Sequence, residues 1–116
     1  MNKSIIYFAR HYTVTNNFEF KIGESGRGKQ RQKDKTFPKD FYIDDFYSTP
    51  IKTKEYRLYI ESFLRVYLPL HYHCELLSKK TDTFIGKDYR EVLKIKHNFQ
   101  NICNLAKENY EKNIGS

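Results

Sequence analysis

The stretch SIIYFARHYTVTNNFEFKIG, residues 4–23, decides the fold. Residues 4–12 concentrate β-branched and aromatic side chains, the composition of a half-buried strand. Residues 18–23, FEFKIG, alternate apolar and charged, the period of a strand with one face in a core. Between them, TVTNN (13–17) ends in Asn16-Asn17, which tolerate the left-handed conformations of a tight turn. An antiparallel hairpin is the expected result.

Downstream, ESGRGKQRQKDK (24–35) holds two glycines and seven charges and reads as a loop running into a short helix. Residues 40–49, DFYIDDFYST, read as a third strand broken at Asp44-Asp45 and ended by Pro50. Residues 52–68 place Tyr56, Ile60, Phe63, Leu64 and Tyr67 on one helical stripe, and Pro69 is expected to stop that helix. HYHCELL (71–77) fits either a helix resuming after a kink or a short separate segment. TDTFIG (81–86) reads as a turn and a short extended piece. Asp88 is positioned to cap a last helix, about 89–113, with Val92, Ile95, Phe99, Ile102, Cys103, Ala106 and Tyr110 as its apolar stripe. The expected fold is α+β: a small antiparallel three-stranded sheet flanked by helices. No linker or repeat divides the chain, so residues 1–116 read as one domain, with a core over about 4–90.

With 116 residues the chain can bury a usable core without staples, and ten Tyr and nine Phe make that core aromatic. Cys74 and Cys103 lack metal-ligand spacing around them and read as reduced, buried thiols. His71 and His73 lie near Cys74, but no second ligand pair completes a zinc site. The N-terminal apolar run is too short for a signal peptide or membrane span, so the expectation is a cytoplasmic protein without membrane association. The net charge is +7. It favours a polyanionic partner, and the densest basic stretch, Lys21 to Lys39, has seven basic residues against Glu24 and Asp34. Arg27, Lys29, Lys33 and Lys35 within it are the candidate nucleic-acid contacts.

Several motifs now fall into an order: IIY at 5–7, KIG at 21–23, Arg31, and Glu61 inside YIESFLRVYL. In these the chain resembles the GIY-YIG nuclease superfamily, in the branch that writes its second motif as KIG. Thr81-Asp82-Thr83-Phe84 is similar to the acidic-aromatic segment that follows the glutamate helix in that branch, so the likeness spans about residues 4–90. The chain departs from the pattern twice: Ile5 stands where the first motif has glycine, and Lys21 where the second has tyrosine. The resemblance implies a metal-dependent endonuclease hydrolysing DNA phosphodiester bonds. Tyr7, Lys21 and Arg31 would be its catalytic residues and Glu61 its ligand for Mg²⁺ (or Mn²⁺). The implied partner is double-stranded DNA, with a homodimer supplying one site per strand. A catalytically inactive nucleic-acid-binding or protein-interaction module on the same fold is the alternative; in the interaction version the last helix pairs with a partner or a second copy.

The chemistry fits these residue types. Phosphodiester hydrolysis needs an attacking water, a base, positive charge on the phosphate and help for the leaving oxygen. One carboxylate, Glu61, suits Mg²⁺, which keeps several waters. Arg31 can grip phosphate oxygens bidentately, and Lys21 adds charge. Tyr7 would pass a proton from water if Lys21 or Arg31 lowered its hydroxyl pKa from about 10. His11, four residues after Tyr7, is a second candidate proton carrier. At about 100° per residue Glu61 lies roughly 110° from the centre of its helix stripe, on the border of core and solvent. An ordinary surface pair with Arg57 or Arg65 would sit there too. Asn98 and Asn101 are two candidates for a late polar site residue, and one or two of Phe41, Tyr42, Phe46 and Tyr47 for base stacking.

Overall fold

A computed structural model describes residues 4–11 and 18–113. Five strands form one antiparallel sheet: β1 (Ile5–His11), β2 (Glu19–Ser25), β3 (Phe41–Ser48), β4 (Cys74–Ser78) and β5 (Thr83–Gly86), in the order β3-β1-β2-β5-β4. The expected antiparallel pairing of β1 with β2 is present, with Tyr7 opposite Gly23 and Ala9 opposite Lys21. The turn expected at 13–17 lies outside the described residues. The sheet has two strands more than the three expected. HYHCELL turns extended at Cys74 and TDTFIG pairs with it, and β5 then joins β2 through Lys21 and Thr83. Both added strands are short, and β4 alternates only weakly, so neither carries a strong periodic signal.

Asp44-Asp45 do not break β3. The register shifts there, leaving Asp44 as an extra residue opposite the step from Phe8 to Ala9. The bulge delivers the Asp44 carboxylate to Arg10 at 2.8 Å and to Lys96 at 3.1 Å, so a charge in mid-strand meets two cations. Pro69 does not stop α1 either, which runs Lys54–His71. The proline sits exposed in the last turn, so it removes one backbone bond, to the Arg65 carbonyl, and the helix ends two residues later. Thr53 caps the start, accepting from the Tyr56 amide at 3.2 Å. Asp88 caps α2 (Tyr89–Asn113) as expected, accepting from the Glu91 amide at 2.9 Å.

The two sheet faces are covered differently. Ile6, Phe8, Phe20 and Ile22 face α1 and α2, meeting Tyr56, Ile60, Leu64 and Leu68 from one helix and Val92, Ile95, Phe99 and Ile102 from the other. The α2 stripe is thereby consumed in the core and is not free to pair with a second chain. Ile5, Tyr7 and Ala9 face the other way, under Phe37, Phe41 and Ile43. There the basic stretch folds as a short 3-10 helix, Gly28–Lys33, opened by Gly28 at φ 64°, a conformation that glycine adopts without a Cβ penalty. Both cysteines are buried and free. No helix among the described residues is long and apolar enough to cross a membrane.

Candidate functional site

The pairing of β5 with β2 reaches only from Glu19 to Lys21. Beyond it, one backbone bond joins the Ile22 amide to the Asp82 carbonyl at 3.1 Å, and β2 carries on without a strand on that side. The candidate site forms at this open edge. Tyr7 and Lys21 lie on the face covered by the 3-10 helix, α1 lies on the opposite face, and Asp82 closes the turn between β4 and β5.

Tyr7 starts on β1 and extends over β2. A Cβ at Gly23 would fall on its Cζ and hydroxyl, and 2.7 Å from its Cε2. Glycine in the KIG motif therefore makes room for the tyrosine of the first motif. Phe37 packs against the Tyr7 ring at 5.7 Å between centroids, and the Arg31 guanidinium lies 5.3 Å from the Phe37 ring. Arg31 is three-quarters buried. Its Nη1 is 3.5 Å from Asp34, a charge contact without hydrogen-bond geometry, so that nitrogen is buried without a hydrogen-bond partner.

The four residues suspected from sequence come together. The charges of Arg31 and Glu61 both act on the Tyr7 hydroxyl, and both also act on the Lys21 ammonium. Lys21 is buried and donates to the Thr81 carbonyl. Burial lowers its pKa, Asp82 and Glu61 push it back up, and Arg31 lowers it further. Tyr7 departs from expectation. Burial raises its pKa well above the ordinary value, and the lowering by Arg31 does not offset this. The direction is opposite to the lowering that a proton-accepting role for this hydroxyl would need.

Two further residues complete the site. Asp82 is buried, at φ 51°. Its carboxylate accepts from Arg65 Nε at 2.7 Å and lies 2.6 Å from Arg65 Nη2, both at Oδ1. Arg65 Nη2 is also 3.7 Å from Glu61 Oε1. Glu61 is pushed up to about 8 by burial first, then by the charge of Asp82 and a hydrogen bond with it, and by Glu24, with Arg65 pulling the other way. Two carboxyl groups thus lie against each other, with the Glu61 pKa raised by burial and by its neighbour. This donor set fits a hard divalent cation, which takes one or two carboxylates and completes its shell with water and phosphate oxygens. Among the described residues no group of three or more His, Cys, Asp or Glu is arranged to hold a metal.

Asp82 had a sequence signal, the TDTF segment, but an aspartate between two threonines is also ordinary turn chemistry. Arg65 read as half of a surface pair. The pair with Glu61 exists, and its stronger contact is to Asp82, a residue 17 positions away. Arg57 instead binds Glu24 at 2.6 Å and Ser4 at 3.1 Å.

His11 is not in the cluster. It lies at the far end of β1, edge-on to Phe41 at 5.2 Å, four residues or about 13 Å along the strand from Tyr7. Asn98 and Asn101 line a groove with Tyr67 and Tyr72. His71 stacks on Tyr67 at 4.1 Å, while Cys74 is buried. Arg27, Lys29, Lys33 and Lys35 are exposed on and beside the 3-10 helix that carries Arg31. Arg27 is ion-paired with Asp34, and Lys29 lies 5.6 Å above the Phe46 ring. Of the four aromatics considered for stacking, Phe41 and Tyr47 are buried and Tyr42 is half-buried, leaving Phe46 exposed. No protein-family model, no curated protein and no solved structure matches this chain.

Proposed function

We propose that the chain is a divalent-metal-dependent endonuclease of the GIY-YIG type acting on DNA. One observation carries this reading: Tyr7, Lys21, Arg31 and Glu61 are spread over 55 positions of sequence, yet Arg31 and Glu61 both lie close enough to act on Tyr7 and on Lys21 at a single open sheet edge. A structural ion pair would not require a buried tyrosine, a buried lysine and a carboxyl pair to meet there.

Each side chain has a task in phosphodiester hydrolysis. Arg31, with a buried nitrogen lacking a hydrogen-bond partner, binds a phosphate oxygen and offsets charge developing in the transition state. Lys21 adds a second positive charge and, through the Thr81 carbonyl, holds the turn that presents Asp82. Tyr7, protonated, donates a hydrogen bond to a phosphate oxygen. Glu61 and Asp82 would hold Mg²⁺ or Mn²⁺, which would supply Lewis-acid polarisation of the phosphate. The exposed cations Arg27, Lys29, Lys33 and Lys35 would track the backbone on either side.

Supercoiled plasmid incubated with Mg²⁺ or Mn²⁺ tests the reading. Nicking that needs the metal and drops by at least about 10²-fold in Glu61→Ala supports it. Undiminished nicking by Glu61→Ala rejects the assignment. A specific observation favours the inactive-module alternative as the second reading: Tyr7 is only 2% exposed. On that reading the basic surface binds DNA and no metal-dependent cutting occurs.

A further inference from the structure

The two carboxylates of the candidate site are crowded by cations. Arg65 places Nε and Nη2 on the same oxygen of Asp82, at 2.7 and 2.6 Å, with Nη2 3.7 Å from Glu61. Lys21 responds to both carboxylates and to Arg31. Glu24, the third carboxylate felt by Glu61, is committed to Arg57 at 2.6 Å. With Glu24 balanced by Arg57, Asp34 beside Arg31 balanced by Arg27, and Glu61 and Asp82 ionised, Lys21, Arg31 and Arg65 still outnumber the two carboxylates by one. A divalent cation entering this space alone would face net repulsion and would compete with Arg65 for the carboxylates it needs.

Nor can Asp82 readily swing away from Arg65. Its carbonyl is tied to the Ile22 amide at 3.1 Å, and the neighbouring Thr81 carbonyl is held by Lys21. Arg65 approaches from the rigid middle of α1, four residues after Glu61, with its side chain 20% exposed. A left-handed backbone at a non-glycine residue persists where the surroundings hold it, and here strand and helix both hold it.

On the nuclease reading, we propose that Arg65 occupies the cation's place in the free protein, so that the metal loads only together with a phosphodiester. The phosphate would bring the negative charge that balances Lys21 and Arg31, and the oxygens that complete the metal's shell. Arg65 is then a positioning residue: it keeps Asp82 and Glu61 together in the absence of metal and disfavours premature loading. Thermodynamic linkage makes the effect reciprocal, so metal tightens DNA binding by the factor by which DNA tightens metal binding.

The test is Mn²⁺ titration of the full chain by electron paramagnetic resonance, with and without a 20-base-pair duplex, after subtracting Mn²⁺ held by duplex alone. Wild type should bind Mn²⁺ at least about tenfold more tightly with duplex present. Arg65→Gln should tighten duplex-free Mn²⁺ binding several-fold, and Arg65→Lys should stay near wild type. Equal Mn²⁺ affinity with and without duplex overturns the proposal while leaving a metal-binding nuclease intact. So does Arg65→Gln weakening Mn²⁺ in both states, as a mere structural prop would. Mn²⁺ binding in neither state removes the nuclease reading and the proposal together. Should Arg65→Gln fail to fold by circular dichroism, the wild-type comparison alone decides.

Discussion

The Tyr7 hydroxyl lies where a side chain on Gly23 would begin, so the two motifs of the hairpin are one packing unit. Strand β1 supplies the ring and β2 supplies the gap, in directly paired register. Gly23→Ala should therefore displace Tyr7 and cost roughly 1–3 kcal/mol by overpacking. Urea denaturation checks the cost, and a stability equal to wild type would mean that the ring does not cross β2.

Asp82 separates backbone from side-chain effects. At φ 51° an alanine pays a penalty of roughly 1–2 kcal/mol that glycine does not. Asp82→Gly should thus be more stable than Asp82→Ala, while both lose the carboxylate that Arg65 binds and, on the proposed function, lose cleavage alike. Equal stability of the two variants would place residue 82 in an ordinary conformation.

The hairpin and the two long helices were legible because their periods are strong: alternation in FEFKIG, and stripes ending in Tyr67 and Tyr110. Strands β4 and β5 were not, since four or five residues hold too few repeats to set a period. The breaks expected at Asp44-Asp45 and Pro69 failed because the rest of the fold overrides local preference. A bulge hands Asp44 to Arg10 and Lys96, and α1 ends only two residues after Pro69. Within the site, the positions of Tyr7, Lys21, Arg31 and Glu61 could be suspected from motif spacing. Asp82 and Arg65 could not be weighed, because their pairing bridges a helix and a turn. The burial of Tyr7, which raises its pKa where the expected proton transfer needs a lowering, comes in part from Phe37, a residue no motif contains.

Stability should fall as pH rises across the Glu61 transition. Its native pKa of about 8 exceeds the ordinary 4.5, so between these values the folded state binds more protons than the unfolded one. Stability therefore declines with pH over that window. Glu61→Gln should lack this part of the decline. Thermal melts of both proteins from pH 5 to pH 8 compare them, and parallel curves would show that Glu61 is not confined beside Asp82.

Electrostatic docking should read out in salt. With about five phosphate contacts around the 3-10 helix, log affinity for duplex should fall against log salt with a slope near −4 to −5. Replacing Lys33 and Lys35 by alanine should reduce the slope's magnitude by about 2, uniformly across sequences. A binding constant indifferent to salt would point away from nucleic acid.

The proposal that Arg31 and Glu61 act on one phosphate is tested most directly by a double-mutant cycle in single-turnover cleavage of a duplex. Arg31→Met and Glu61→Gln should each slow cleavage by at least about 10²-fold, and the double variant should be scarcely slower than the worse single one. Losses that simply multiply, or a single variant that cuts at the wild-type rate, would contradict a shared site.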